Sequence, residues 1–266
     1  MKKITTLFSL FLMFSYVIGQ NLTNSYNLDV SINSSSFSFN QASVTIGSTN
    51  QSYYDFENGE IANISNSDWD LAFGVSNYGS GIRINDANET KLYVYPNGDK
   101  NDWETVDISN ISSWMEILNS DTSWSIGAFN QNQNPNVQFD LGWGTYSLIT
   151  HFITGDSIHI LKLSDGNYKK LILEQLAGGT YYFKYADIDG SNEVNDSISK
   201  SDFSGKNFGY YSIQNSQVID REPMANSWDL LFTKYVSEVA PGALYGVTGV
   251  LTNAGLETAK VEGIAV

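Results

Sequence analysis

Two histidines, His151 and His159, flank the segment Thr154-Gly155-Asp156-Ser157. Histidine and methionine ligate transition metals through neutral nitrogen and sulfur. The chain has no cysteine, which removes thiol chemistry and cysteine-ligated zinc. Met115 falls on a predicted helix and reads as core, whereas Met224 lies in a loop near Pro223 and is the freer ligand. If Gly155-Asp156 is a two-residue hairpin turn, Phe152 faces His159 and His151 points to the other side of the sheet. The two imidazoles then cannot grip one metal. A three-residue loop would reverse that parity. Structural or surface roles are the plainer reading of the pair.

A second cluster, Asp187-Ile188-Asp189-Gly190-Ser191-Asn192-Glu193, sets oxygen side chains at alternate positions. Asp187, Asp189, Ser191 and Glu193 could face a calcium ion in that spacing, as in calcium loops. The glycine placement and distal bidentate glutamate of an EF-hand are missing, and a solvated turn is the plainer reading. There is no glycine-rich phosphate loop, no G-x-S-x-G elbow and no H-E-x-x-H. Paired carboxylates can hydrolyse glycosides, but no spacing singles out a pair among the 29 Asp and Glu residues. The chain reads as a non-enzyme.

What must position these residues is a repeated stretch. Tyr53-Tyr54-Asp55-Phe56 leads to Asn66-Ser67-Asp68-Trp69-Asp70-Leu71-Ala72-Phe73, and Tyr210-Tyr211-Ser212-Ile213 leads to Asn226-Ser227-Trp228-Asp229-Leu230-Leu231-Phe232. Further on, Asn85, Glu89 and Thr90 are answered by Asn253, Glu257 and Thr258. Each copy reads as two half-buried strands. In each, Tyr54 or Tyr211 leads, Trp69 or Trp228 is buried with Phe73 or Phe232, and Asp70 or Asp229 serves the indole N–H or a nearby turn.

Along the chain, 112–118 (Ser-Ser-Trp-Met-Glu-Ile-Leu) reads as a short helix capped by serine. Segments 146–153, 157–163, 168–176 and 180–186 read as a meander of strands, punctuated by Gly155-Asp156, Asp165-Gly166 and Gly178-Gly179. Residues 187–206 read as a polar connector. The expected fold class is mainly β, with antiparallel meander and hairpin units, one short helix and an internal duplication. The units are expected at 43–200 and 201–266. In the second, nothing answers the meander of the first, so it reads as truncated at its C-terminus. Val247, Val250, Leu251 and Val261 are then expected to be more exposed than their counterparts.

Lys and Arg number 14 against 29 Asp and Glu, a formal net charge of -15. Nucleic acid and anionic membrane surfaces demand basic patches, so neither is an expected partner. Residues 1–19 have the plan of a signal peptide, with Lys2-Lys3 before a short apolar run and a cut ahead of Gln20. The run is too short to span a bilayer. Residues 20–42 form a polar lead-in with one strand near 28–32. The expected address is exported, either secreted or on the outer cell surface, with no thiol for a lipid anchor.

The Trp-Asp-Leu-x-Phe segments, the Tyr-Tyr…Glu57-Asn58-Gly59 lead and the run Ile160-Leu161-Lys162-Leu163-Ser164-Asp165-Gly166-Asn167-Tyr168-Lys169-Lys170-Leu171 resemble the HmuY-like proteins, exported and mostly β. The resemblance spans about 44–186 and again 210–258. It implies a small ligand, haem above all, and contact with an outer membrane or a secretion machinery. Haem iron takes His or Met as axial ligands, which makes His151, His159 and Met224 the candidates. The paired histidines with which such proteins hold haem have no match after the first Trp-Asp strand, where Gly74-Val75-Ser76 follows. Two other readings stand beside this one: a structural or adhesive surface module without cofactor, and, more distantly, a glycan-active enzyme.

Overall fold

The computed structural model describes residues 24–27, 43–46 and 49–256. The expected signal peptide, the expected strand at 28–32, and Glu257, Thr258 and Val261 lie outside the described residues. Three antiparallel sheets are stacked, with strands numbered in chain order. Among the described residues, strands β1 (Asn24–Asn27) and β2 (Ser43–Ile46) pair only with each other.

The middle sheet has the order β15 (Gln217–Ile219), β14 (Phe208–Ser212), β5 (Leu71–Gly74), β6 (Ile82–Ile84). All five residues of β14 and all three of β6 are buried. Their near-continuous apolar and aromatic sequence is what a strand covered on both faces requires. On one face Leu71, Phe73, Ile82, Ile84 and Tyr211 pack against Leu171, Leu173, Phe183 and Tyr185 of the largest sheet. That sheet runs β13 (Val194–Ser199), β12 (Thr180–Asp187), β11 (Tyr168–Ala177), β10 (His159–Lys162), β7 (Lys91–Val94). Its far side is sealed by Trp103 and by side chains between 106 and 114, over Ile158, Ile160 and Ile172. On the other face of the middle sheet, Ala72, Phe208 and Tyr210 meet Trp124. Trp124 also packs on Tyr53, Trp228 and Leu231 of the third sheet, which has the order β17 (Ala243–Thr252), β16 (Leu230–Ala240), β3 (Asn50–Asp55), β4 (Gly59–Ser65).

The two copies of the Tyr-Tyr…Trp-Asp motif make matching contacts, each with the other copy. Strand β3 of the first pairs with β16 of the second, and β14 of the second with β5 of the first. The Asp70 N–H donates to Tyr211 O at 2.9 Å, and that of Asp229 to Tyr54 O at 2.8 Å. Asp70 Oδ2 accepts from Ile213 N at 2.7 Å, and Asp229 Oδ2 from Phe56 N at 2.8 Å. Trp69 meets Tyr210, and Trp228 meets Tyr53, edge-on at the same 5.0 Å between ring centres. Asn85 Nδ2 donates to two carbonyls, Asn66 O and Trp69 O. Asn253 Nδ2 does the same to Ala225 O and Trp228 O. Strands from both sides of the expected boundary at 200/201 share two sheets.

The counterparts differ in cover. Ile82 pairs with Phe73 as Val250 pairs with Phe232. Ile82 lies under the largest sheet at 0% exposure, whereas Val250 is 36% exposed. Trp228 is buried as expected, but Trp69 is only half-buried.

Several local expectations are corrected. Residues 112–118 do not form a helix: a single 3-10 turn covers Ile111–Ser113, and Trp114 is extended. Trp114 packs on Tyr95, and Ile117 N–H bonds to Leu92 O at 2.9 Å, so tertiary partners outweigh a weak local preference. Residues 187–206 are more than a connector, since β13 inside them pairs with β12 along six residues. Segment 146–153 is not one strand but the two ends of a short hairpin, β8 (Gly144–Tyr146) and β9 (Ile153–Gly155), around a loop.

The Gly178-Gly179 turn joins β11 to β12 with both residues at positive φ, as a tight hairpin needs. Gly155-Asp156 is different. Strands β9 and β10 do not pair with each other; both lie along β11, either side of a bulge between Leu173 and Gln175. Gly155 is required because a Cβ there would collide with Leu173 O. Its signal is one of close approach, not of a turn.

Candidate functional site

Because β9 and β10 share an edge of β11 instead of forming a hairpin, His151 and His159 are separated by more than parity. His159 is completely buried, with its ring 4.7 Å from that of Phe129. Neither ring nitrogen has a hydrogen-bond partner among the described residues. Burial alone pulls its pKa down to about 3, so it is a neutral core side chain. It has no access to a surface ligand.

His151 is exposed at the end of the β8–β9 loop. The loop is shaped by hydroxyls: Ser147 Oγ accepts from the N–H groups of Ile149 and Thr150, and Thr150 Oγ1 from Phe152 N–H. These turns force His151 to φ 58°, in the left-handed region. Its Nδ1 is hydrogen-bonded to Tyr146 Oη at 2.7 Å, which fixes the ring. Phe139, also left-handed at φ 66°, packs edge-on against Tyr146 at 6.2 Å. Phe139 is itself exposed, and so are its chain neighbour Val137 and the loop residues Leu148 and Ile149, the last at 92% exposure. Two strained non-glycine residues, one oriented imidazole and an apolar rim thus coincide at one loop cluster. Backbone strain of that kind costs about 1–3 kcal/mol per residue and gathers at functional sites.

Met224 lies elsewhere, in the connection between β15 and β16, with its methyl against Gly205. It is 47% exposed. The acidic loop turns its oxygens to donors of its own chain. Asp187 Oδ1 binds the Lys169 ammonium at 2.5 Å, and Oδ2 accepts from Ser191 and Asn192. Asp189 Oδ1 accepts twice from Ser191. Glu193 accepts from the Trp103 indole at 3.0 Å and from Asn195. The Lys169 contact, the largest of several, holds the Asp187 carboxyl below its ordinary pKa.

A buried carboxylate that the sequence did not flag sits between the middle and third sheets. Glu222 accepts from Asn207 N, Phe208 N and Tyr210 Oη, at 3.2, 3.0 and 3.3 Å. The space it shares with Tyr53, Trp124 and Trp228 is about 10 Å³, a single water's room and no organic ligand's. Burial raises its pKa to about 7. An acid whose pKa rises on folding holds its proton better in the folded state, so stability falls as pH climbs from the ordinary carboxylate range to about 7. The loss amounts to about 3 kcal/mol. Urea unfolding of Glu222→Gln at pH 5 and pH 7.5 should show most of that fall abolished; an unchanged pH profile would rule the role out.

Tyr146 and Phe139 were not legible as site residues. The available signal was Ser147 and Thr150 bracketing Leu148-Ile149, which is turn chemistry inside what reads as an apolar strand. Among the described residues no helix is long and apolar enough to cross a membrane, and no group of three His, Asp or Glu side chains could hold a metal ion. No family model, curated protein or solved structure matches the chain.

Proposed function

We propose that the chain is an exported, non-enzymatic β protein that binds haem, or another flat apolar ligand, at the loop cluster around His151. One observation carries the reading: an exposed imidazole with Nδ1 held by Tyr146, at a strained backbone position, beside exposed Phe139, Leu148 and Ile149. Histidines that ligate metals are generally oriented by a hydrogen bond at their second nitrogen. That bond leaves Nε2 free for iron, and a porphyrin face suits an aromatic and aliphatic rim. The same apolar rim on an otherwise acidic chain is what makes a bare structural module the second reading. Exposed apolar patches on soluble proteins mark binding sites.

Titration with haemin tests it. The wild type and His159→Ala should develop a sharpened Soret band at a haem-to-protein ratio set by one site. His151→Ala should lose it, or weaken binding tenfold or more. An unaltered titration in His151→Ala would remove haem ligation from this loop, and no band at all in the wild type would leave the structural module standing.

A further inference from the structure

Most strand edges of this protein are closed or blunted. The free side of β6 is occupied by asparagine side chains: Ile82 N–H donates to Asn130 Oδ1 at 3.0 Å and Ile84 N–H to Asn119 Oδ1 at 3.1 Å. Asn119 Nδ2 returns a bond to Ile84 O at 2.8 Å. Ile117 bridges to the free side of β7. Strand β15 is three residues long, β4 carries Glu60, and β13 carries Asp196. Such devices keep sheets from pairing edge to edge.

Among the described residues, strand β17 has none of them. It is ten residues long, Ala-Leu-Tyr-Gly-Val-Thr-Gly-Val-Leu-Thr, with no charge and no proline. It ends the third sheet, and among the described residues its outer side receives one bond, from the Trp124 indole to Thr252 O. Asn253 N–H points inward, to Asp229 O. In an antiparallel ladder the direction alternates, so Leu244, Gly246, Thr248 and Val250 present their N–H and C=O groups outward. The strand behind it is braced, with Val236 N–H on Asp86 and Ser237 Oγ on Asp121. The open edge therefore rides on a fixed support.

We propose that β17 is a dimerisation edge, which pairs antiparallel with β17 of a second copy and joins two four-stranded sheets into one of eight. The occupant follows from the strand's chemistry. A ten-residue edge without charge offers nothing by which to select a partner of opposite charge. In a chain of net charge -15, it also lets two like-charged copies meet without repulsion at the contact. An antiparallel edge is its own complement about a twofold axis. With Thr248 on that axis, Thr248 faces Thr248 of the second copy. Val250 then falls opposite Gly246, and Val247 opposite Gly249, so that both valines lie across from a glycine.

Light scattering on the full chain should give twice 29.5 kDa. Thr248→Lys places two ammonium groups directly opposite each other and should weaken the dimer about tenfold or more. Thr248→Glu should do the same. Mixing the two variants should restore a mixed dimer, since lysine then faces glutamate. That rescue shows both chains to be folded. A wild type that stays monomeric at the highest soluble concentration overturns the proposal. So does a dimer that survives both substitutions, or a mixture that stays monomeric.

Discussion

Trp228→Ala should lower stability by about 3–5 kcal/mol, the usual loss for a large aromatic removed from a core. Trp69→Ala should cost distinctly less, although the two tryptophans hold matching places. Both meet a tyrosine edge-on at 5.0 Å. Trp228 is 3% exposed, wedged among Tyr53, Leu231 and Trp124 between two sheets. Trp69 is half-buried, satisfied at its indole N–H by Asn66 at 2.9 Å and covered on one side by the Arg221 guanidinium. Its removal opens a groove that water can fill, not a cavity. The Trp228 indole nitrogen has no partner among the described residues, so no hydrogen bond is lost with it and the whole effect is packing. Urea unfolding of both variants with a common m value measures the difference. Equal losses would mean that the half-exposed face of Trp69 is covered in solution.

The mainly β character and most turns were legible because they depend on local signals. Asp165-Gly166 and Gly178-Gly179 sit between alternating strands and do join them, β10 to β11 and β11 to β12. The likeness of the two Trp-Asp segments was legible as well, and Asn85 and Asn253 make similar bonds to the carbonyls beside them. What the repeat could not tell is that each copy completes the sheet of the other, since self-similarity in sequence carries no information about which strand is neighbour to which. Gly155 misled for a related reason. A glycine demanded by the close approach of Leu173 O looks the same in sequence as one demanded by a turn. That single misreading placed Phe152 opposite His159 and made shared ligation by the two histidines a matter of hairpin parity. In the fold, His159 is completely buried, because β10 runs through the core. The candidate site was half visible. His151 stood out as one of only two histidines, while Tyr146 and Phe139 matter through backbone angles and a hydroxyl contact that no spacing reveals.

Asn85→Asp should be the most damaging single change of similar size, about 3–5 kcal/mol at neutral pH, because it leaves a charge uncompensated in the interior. Asn85 is fully buried and donates both amide hydrogens, at 2.6 Å to Asn66 O and 2.8 Å to Trp69 O. Those carbonyls belong to the segment that turns the chain into β5. An aspartate has no hydrogen to give them when ionised, and its charge would face two carbonyl oxygens. When protonated it recovers one of the two bonds. Its folded pKa must then stand above the ordinary carboxylate value, so the penalty is greatest above that pKa and shrinks as pH falls through it. Unfolding of wild type and variant at pH 7.5 and pH 4.5 should show the gap narrowing at the lower pH. Glu222 is present in both proteins, so its own pH dependence cancels in the comparison. Asn253→Asp should follow in the same sense, since Asn253 Nδ2 spans Ala225 O at 2.6 Å and Trp228 O at 2.7 Å. A gap below about 1 kcal/mol for Asn85→Asp, or one that does not change with pH, would mean that the carbonyls find water, and that these asparagines do not hold the Trp-Asp turns in place.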